Sequence, residues 1–170
     1  MRLVLDVENT TSNRGGKLHL DPFEEGNILV QVGVKNMDKP DERHMLTFDH
    51  KEYKDRNGAN HFIIQAFLAE TTLLIMHNAQ HDLMWLWASG FKYDGLIWDT
   101  MLAEYVLLRG QKLPLSLDAC AQRRELTFQK DDTLKKYFKE GYNTDEIPLS
   151  ELSFYLGCDL DTTGELYEAQ

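Results

Sequence analysis

The sequence predicts an α/β layer fold built on a mixed sheet, and three observations carry that reading. Residues 3–48 hold three β-patterned apolar runs separated by turn residues, as in an antiparallel meander. Beyond residue 59 the apolar spacing changes to a helical period. Those helical stretches alternate with short apolar runs at 73–76 and 96–98, an alternation that brings in further strands with helices on the sheet faces.

The first strand is the run from Leu3 to Thr10. A polar segment, 11–27, carries Gly15-Gly16 and Asp21-Pro22 and reads as a loop with a short extended piece at 17–20. Ile28 to Val34 is β-branched and gives the second strand, and His44 to Phe48, after a turn containing Pro40, gives the third. Phe62, Ile63, Ala66 and Phe67 mark an amphipathic helix from about Ala59 to Ala69. Leu73 to Met76 is a buried strand, and residues 79–89 form a helix with Leu83, Leu86 and Trp87, closed by Gly90. A brief strand at 96–98 leads to Asp99-Thr100, an N-cap pair for a helix with Met101, Leu102, Tyr105 and Val106 inside. Ser116 caps a helix through Arg124, Leu134, Tyr137 and Phe138 give a short one, and the last helix starts near Pro148–Ser150.

With 170 residues, 42% of them hydrophobic and 27% charged, the whole chain, 1–170, reads as one domain. No run approaches the roughly 20 apolar residues of a membrane span. Met1-Arg2-Leu3 enters a strand pattern with no signal region, so a cytoplasmic location without membrane partners is expected. Cys120 and Cys158 are too few for a disulfide framework or a cysteine zinc site and read as small core residues. The net charge of −10 argues against generic, backbone-driven nucleic-acid binding. Any such binding would be local and metal-bridged.

Chemistry enters at the end of the first strand. Asp6 and Glu8 lie two apart, so in a strand their carboxylates share a face. Like charges held that close repel unless a cation sits between them, and oxygen-only ligands suit Mg²⁺ or Mn²⁺. Alone, the pair also fits an acidic strand end in solvent. Asp82 follows the 73–76 strand in the first turn of its helix, which would bring it to the same sheet end. Tyr155 and Asp159 are spaced i, i+4 on the last helix, with Leu152, Leu156 and Leu160 as its packing side. Asp161 falls roughly 200° around that helix and is not expected in the site.

Asp6-Val7-Glu8, Asn78-x-x-x-Asp82 and Tyr155-x-x-x-Asp159, in that order, resemble the three motifs of the DEDDy 3′–5′ exonucleases. The likeness is greatest to the proofreading domain of DNA polymerase I-type (family A) enzymes, and Trp98 to Leu102 and Ser116-Leu117 resemble intervening segments. Phe154 stands where the histidine subclass has its histidine. The resemblance implies a ribonuclease H-like fold and two divalent ions, Mg²⁺ or Mn²⁺, about 3.5–4 Å apart. Asp6 would bridge them, Glu8 and Asp159 would serve the water-side ion, and Asp82 the other. Tyr155 would orient the attacking water, since a phenol of pKa near 10 is a poor base at neutral pH. It implies removal of nucleoside 5′-monophosphates from a single-stranded or frayed 3′ end of DNA, with RNA as the alternative as in ribonuclease D. A polymerase domain or subunit is the implied partner; a catalytically weak nucleic-acid- or polymerase-binding module is the reading from another class. Asn78 is implied beside the terminal nucleotide, with Asn9, Thr10 and His81 as further substrate contacts.

The chain departs from the family at Asn9, where Thr is usual, at Ser12, where an apolar wedge is usual, and at His81, usually aromatic. His77 and His81 are helix-spaced but lack a third ligand for zinc. Asp99 reads as an N-cap. Arg123-Arg124 and Lys135-Lys136 read as solvated faces, Arg14 and Lys17 as candidates for backbone contacts, and Trp85 with Trp87 as half core, half surface.

Overall fold

The computed structural model describes residues 1–39, 41–127 and 133–170. In chain order the strands are β1 (Arg2–Asn9), β2 (Ser12–Arg14), β3 (Lys17–His19), β4 (Leu29–Asn36), β5 (Arg43–Thr47), β6 (Leu73–Met76) and β7 (Leu96–Asp99). The helices are α1 (Ala59–Glu70), α2 (Ala79–Ala88), α3 (Thr100–Leu107), α4 (Leu117–Arg123), α5 (Lys135–Lys139) and α6 (Leu149–Ala169), with a 3-10 turn at Thr144–Glu146. Five strands form one mixed sheet in the order β5-β4-β1-β6-β7. β1, β4 and β5 are the antiparallel meander; β6 and β7 run parallel to β1. Together with the flanking helices this is the ribonuclease H-like arrangement expected.

Alternation along β1 sorts the two layers. Leu3, Leu5 and Val7 pack with Ile64 and Leu68 of α1 and Leu83, Trp85 and Leu86 of α2. Val4 faces the other way and packs with Ile75 and Leu160 of α6. Leu152, Leu156 and Leu160 are fully buried, as their spacing predicts. The approach of α6 to the sheet is set by Gly33, paired with Asp6 across β4 and β1. A Cβ there would lie 2.8 Å from Leu156 Cγ and 2.9 Å from Leu160 Cδ1, so only hydrogen fits.

Several sequence expectations need correction. The 11–27 segment contains a two-stranded hairpin, β2 with β3, rather than one extended piece. Gly15 and Gly16 both take positive φ, and the Gly16 amide donates to Asn13 Oδ1 at 3.1 Å; the Gly-Gly pair was the available signal. The apolar face of α1 is shifted: Ile64 and Leu68 are buried, whereas Phe62 is 76% exposed. In α3, Leu102, Tyr105 and Val106 lie outward, and Thr100 and Glu104 are buried. The reason is electrostatic: Glu104 accepts from Arg123 at 2.8 Å and pairs with Arg124 at 2.9 Å, turning its own face inward. Arg123 and Arg124 are therefore buried-pair partners and not a solvated face. Cys120 is buried, but Cys158 is only half-buried. Trp85 is buried and donates to the Leu20 carbonyl, while Trp87 is exposed. Pro40, which the sequence assigns to a turn, lies outside the described residues. No described helix is long and apolar enough to cross a membrane.

Candidate metal centre

Asp6 and Glu8 share the parity of Val4 and so rise from the sheet face covered by α6. Both are half-buried, and the Val7 amide donates to Asp6 Oδ1 at 3.0 Å. β6 lies parallel beside β1, so its exit turn brings α2 and Asp82 to the same end of the sheet. Asp82 is 2% exposed, and its Oδ2 is buried with no hydrogen-bond partner among the described residues. Burial raises its pKa well above the carboxylate range, and the charges of Asp6, Glu8 and Asp99 push the same way; the Val7 amide opposes them. From the other side of the sheet, α6 brings Tyr155 and the buried Asp159. Tyr155 and Asp159, one turn apart on α6, act on each other electrostatically. Burial first, then the charges of Asp159, Glu8 and Asp6, hold the phenol protonated far above neutral pH. Thus Asp6 and Glu8 act on Asp82 and, together with Asp159, on Tyr155.

Such a set is costly without counter-charge, because buried like charges repel and lose hydration. All its donors are carboxylate oxygens, which fit hard divalent cations. The orphaned Asp82 Oδ2 is one atom whose burial a cation would offset. That donor chemistry suits a hard divalent cation, although among the described residues the group of three that brings ligand atoms within 4.8 Å of one another is His19, Asp21 and Glu24.

The polar residues around this set are held by internal bonds. Asp99 caps α3 by accepting from the Met101 and Leu102 amides at 2.9 and 3.2 Å. It also accepts from the Asn78 and Ala79 amides at 3.1 and 3.0 Å, so one carboxylate holds the starts of two helices. Asn78 takes a left-handed conformation, φ 68°, which Asn tolerates, and its side chain is exposed. It lines a cavity of about 410 Å³ with His81 and with Leu18 and His19 of the hairpin.

The two unusual neighbours of the acids, Asn9 and His81, face each other. His81 Nε2 donates to Asn9 Oδ1 at 2.9 Å, while Asn9 Nδ2 donates to the Thr10 carbonyl at 2.8 Å. Burial lowers the pKa of His81, which keeps the ring neutral. This bond ties the end of β1, where its register with β4 shifts between Glu8 and Asn9, to the turn of α2 that carries Asp82. Thr10 Oγ1 accepts from the Ile28 amide at 2.8 Å, so this buried hydroxyl fixes the start of β4. Asn9 and Thr10 therefore have structural work irrespective of any substrate.

Asp161 lies away from the acids, paired with Lys35 at 2.8 Å and Arg43 at 2.6 Å, as its place on the helix predicts. His77 contacts Thr100 Oγ1 and the Leu115 carbonyl, so both ring nitrogens are engaged by protein. Sequence reasoning missed one cluster: His19, Asp21 and Glu24 bring ligand atoms within 4.8 Å of one another. Its only signal is the H-x-D-x-x-E spacing after the hairpin. Arg14 Nε lies 2.6 Å from Glu24 Oε1 and meets part of that charge. Against known proteins, the chain matches no family model and no curated protein.

Proposed function

We propose that this chain is a metal-dependent 3′–5′ exonuclease of the DEDDy type, acting on single-stranded or frayed 3′ ends of DNA. The observation that supports the reading is that buried Asp82 lies in the field of Asp6 and Glu8, while Tyr155 lies in that of Asp159, Glu8 and Asp6, side chains from three separate elements. The four carboxylates would hold two Mg²⁺ or Mn²⁺ ions, which when bound supply a water of lowered pKa and neutralise charge on the leaving 3′ oxygen.

The chain's own groups do the rest. Tyr155, kept neutral by burial and by its acidic neighbours, cannot take a proton near pH 7; its hydroxyl can hold a water in place. Asn78, at the mouth of the neighbouring cavity, presents an amide suited to a terminal sugar or base. Release of nucleoside 5′-monophosphates beside a polymerase domain or subunit is the setting that this chemistry suits.

The test is incubation with 5′-labelled single-stranded DNA and RNA in Mg²⁺, in Mn²⁺ and in chelator. Stepwise shortening of DNA from the 3′ end, abolished by chelator and by Asp6→Ala, is expected. Preference for RNA would move the assignment to the ribonuclease D class. No degradation with either metal would reject the enzyme reading.

A further inference from the structure

Next to the carboxylates, but outside them, lies a cavity of about 520 Å³ that the chemistry above does not use. One wall is Leu18 of the β2–β3 hairpin; the other is Phe138 of α5 and Tyr142 just beyond it. All three are large, apolar-faced and substantially exposed, with Phe138 51% and Tyr142 44% accessible. Its floor is joined by a reciprocal pair of bonds: the Thr11 amide donates to Asn143 Oδ1 at 3.0 Å, and Asn143 Nδ2 donates to the Thr11 carbonyl at 2.8 Å. The Tyr142 ring stands edge-on to Tyr137, with centroids 5.6 Å apart. Tyr137 in turn donates to Glu151 Oε1 of α6 at 2.8 Å, one turn ahead of Tyr155. The groove is thus pre-formed and braced against the chain that leaves β1 and against α6, two of the three elements that carry the acids.

Charge points to its occupant. The chain is −10 overall, yet segments 12–19 and 135–142, on either side of the groove, hold five of its 18 Lys and Arg against one acid, Glu140. Lys17 and Lys139 make no salt bridge among the described residues, whereas Arg14 and Lys136 pair with Glu24 and Glu151. Exposed aromatic faces between basic rims, in a cleft of nucleotide size, are the elements of a single-strand stacking platform. Thr11 follows Glu8 by three residues, a span of roughly 10 Å of extended chain, or about one to two nucleotides.

We propose that this groove is the upstream subsite for single-stranded DNA, stacking bases on Phe138 and Tyr142 while Lys17 and Lys139 contact the backbone. It deepens the exonuclease reading and rests on it for the strand's direction.

The test measures affinity and not turnover. Binding of 5′-fluorescein-labelled (dT)₁₀ is followed by anisotropy in chelator and in Ca²⁺. Phe138→Ala and Tyr142→Ala should each weaken binding about 5- to 100-fold, as loss of one stacked base predicts. Phe138→Trp should retain affinity within about twofold, which excludes a misfolded surface. Lys17→Ala and Lys139→Ala should each reduce the slope of log K against log salt by about 0.7. Unchanged affinity in the Phe138→Ala, Tyr142→Ala double variant, or no (dT)₁₀ binding in either condition, overturns the subsite. If the groove binds (dT)₁₀ through Phe138 while the protein degrades no oligonucleotide with Mg²⁺ or Mn²⁺, the subsite stands and the exonuclease reading falls.

Discussion

Asp82→Asn should stabilise the metal-free protein. Asp82 is buried with Oδ2 unsatisfied and is raised in pKa by burial and by Asp6 and Glu8. The amide keeps the shape, removes one of several repelling charges, and offers donors to the remaining carboxylates. An unsatisfied buried polar atom costs about 1–3 kcal/mol, and the substitution should recover a gain of that order. For a chain of this size that is roughly 2–10 °C in Tm. The assay is thermal unfolding in chelator at neutral pH, followed by circular dichroism. Because the folded-state pKa is raised, the contribution of Asp82 is complete below the unfolded value near ~3.9 and is lost as pH rises through the folded value. The advantage of Asp82→Asn should therefore widen as pH rises. Saturating Mn²⁺ should reverse the order, since a ligand at 100 times its Kd adds about 2.7 kcal/mol to the protein that binds it. An Asp82→Asn protein no more stable than wild type in chelator, with no widening between acid and neutral pH, would refute the account of strained carboxylates.

Tyr155→Phe should lower turnover on (dT)₁₀ by about 100-fold or more if the phenol positions a proton-transferring water, with little change in Tm. Glu104→Ala should cost about 2–4 kcal/mol in urea unfolding, because it strands Arg123 and Arg124 in a largely buried site. Burial pushes the Glu104 pKa up, but bonds from Arg123, Arg124 and Gln170 outweigh it and leave the value lowered. Its contribution is thus present above the unfolded value near ~4.3 and lost as pH falls through the folded one, and Glu104→Gln should flatten that acid limb. Gly33→Ala should cost about 1–3 kcal/mol by overpacking and weaken Mn²⁺ binding in calorimetry, since Leu156 and Leu160 must shift and carry Asp159 with them. His81→Ala should cost about 1–3 kcal/mol by orphaning Asn9 Oδ1, whereas the Asn9→Thr, His81→Phe pair should cost less than the two single changes combined.

Much of this arrangement was legible because it rests on local periodicity. The two-residue spacing of Asp6 and Glu8 and the four-residue spacing of Tyr155 and Asp159 fix shared faces whatever the tertiary context. So does the capping preference that identified Asp99 and Ser116, both of which accept from amides inside their helices. The errors occurred where partners distant in sequence decide orientation. Nothing near Leu102, Tyr105 and Val106 announces that Glu104 meets two arginines about twenty residues on. Asn9 looked anomalous when read along the chain, because its partner, His81, is 72 residues away. The short hairpin was hidden by polar strands that bury little.

The placement of the acids also orders events during synthesis. β1 precedes the other elements described and carries two of the four carboxylates, β6 and α2 bring the third, and the last arrives only with α6 at residue 159. At about 5–20 residues per second, β1 waits roughly ten to thirty seconds for its completing helix. Throughout that interval the nascent chain can have pairing strands and a partial core, but no complete acidic set. On the proposed reading, the ribosome would therefore carry no finished nuclease beside its own message until α6 had been made.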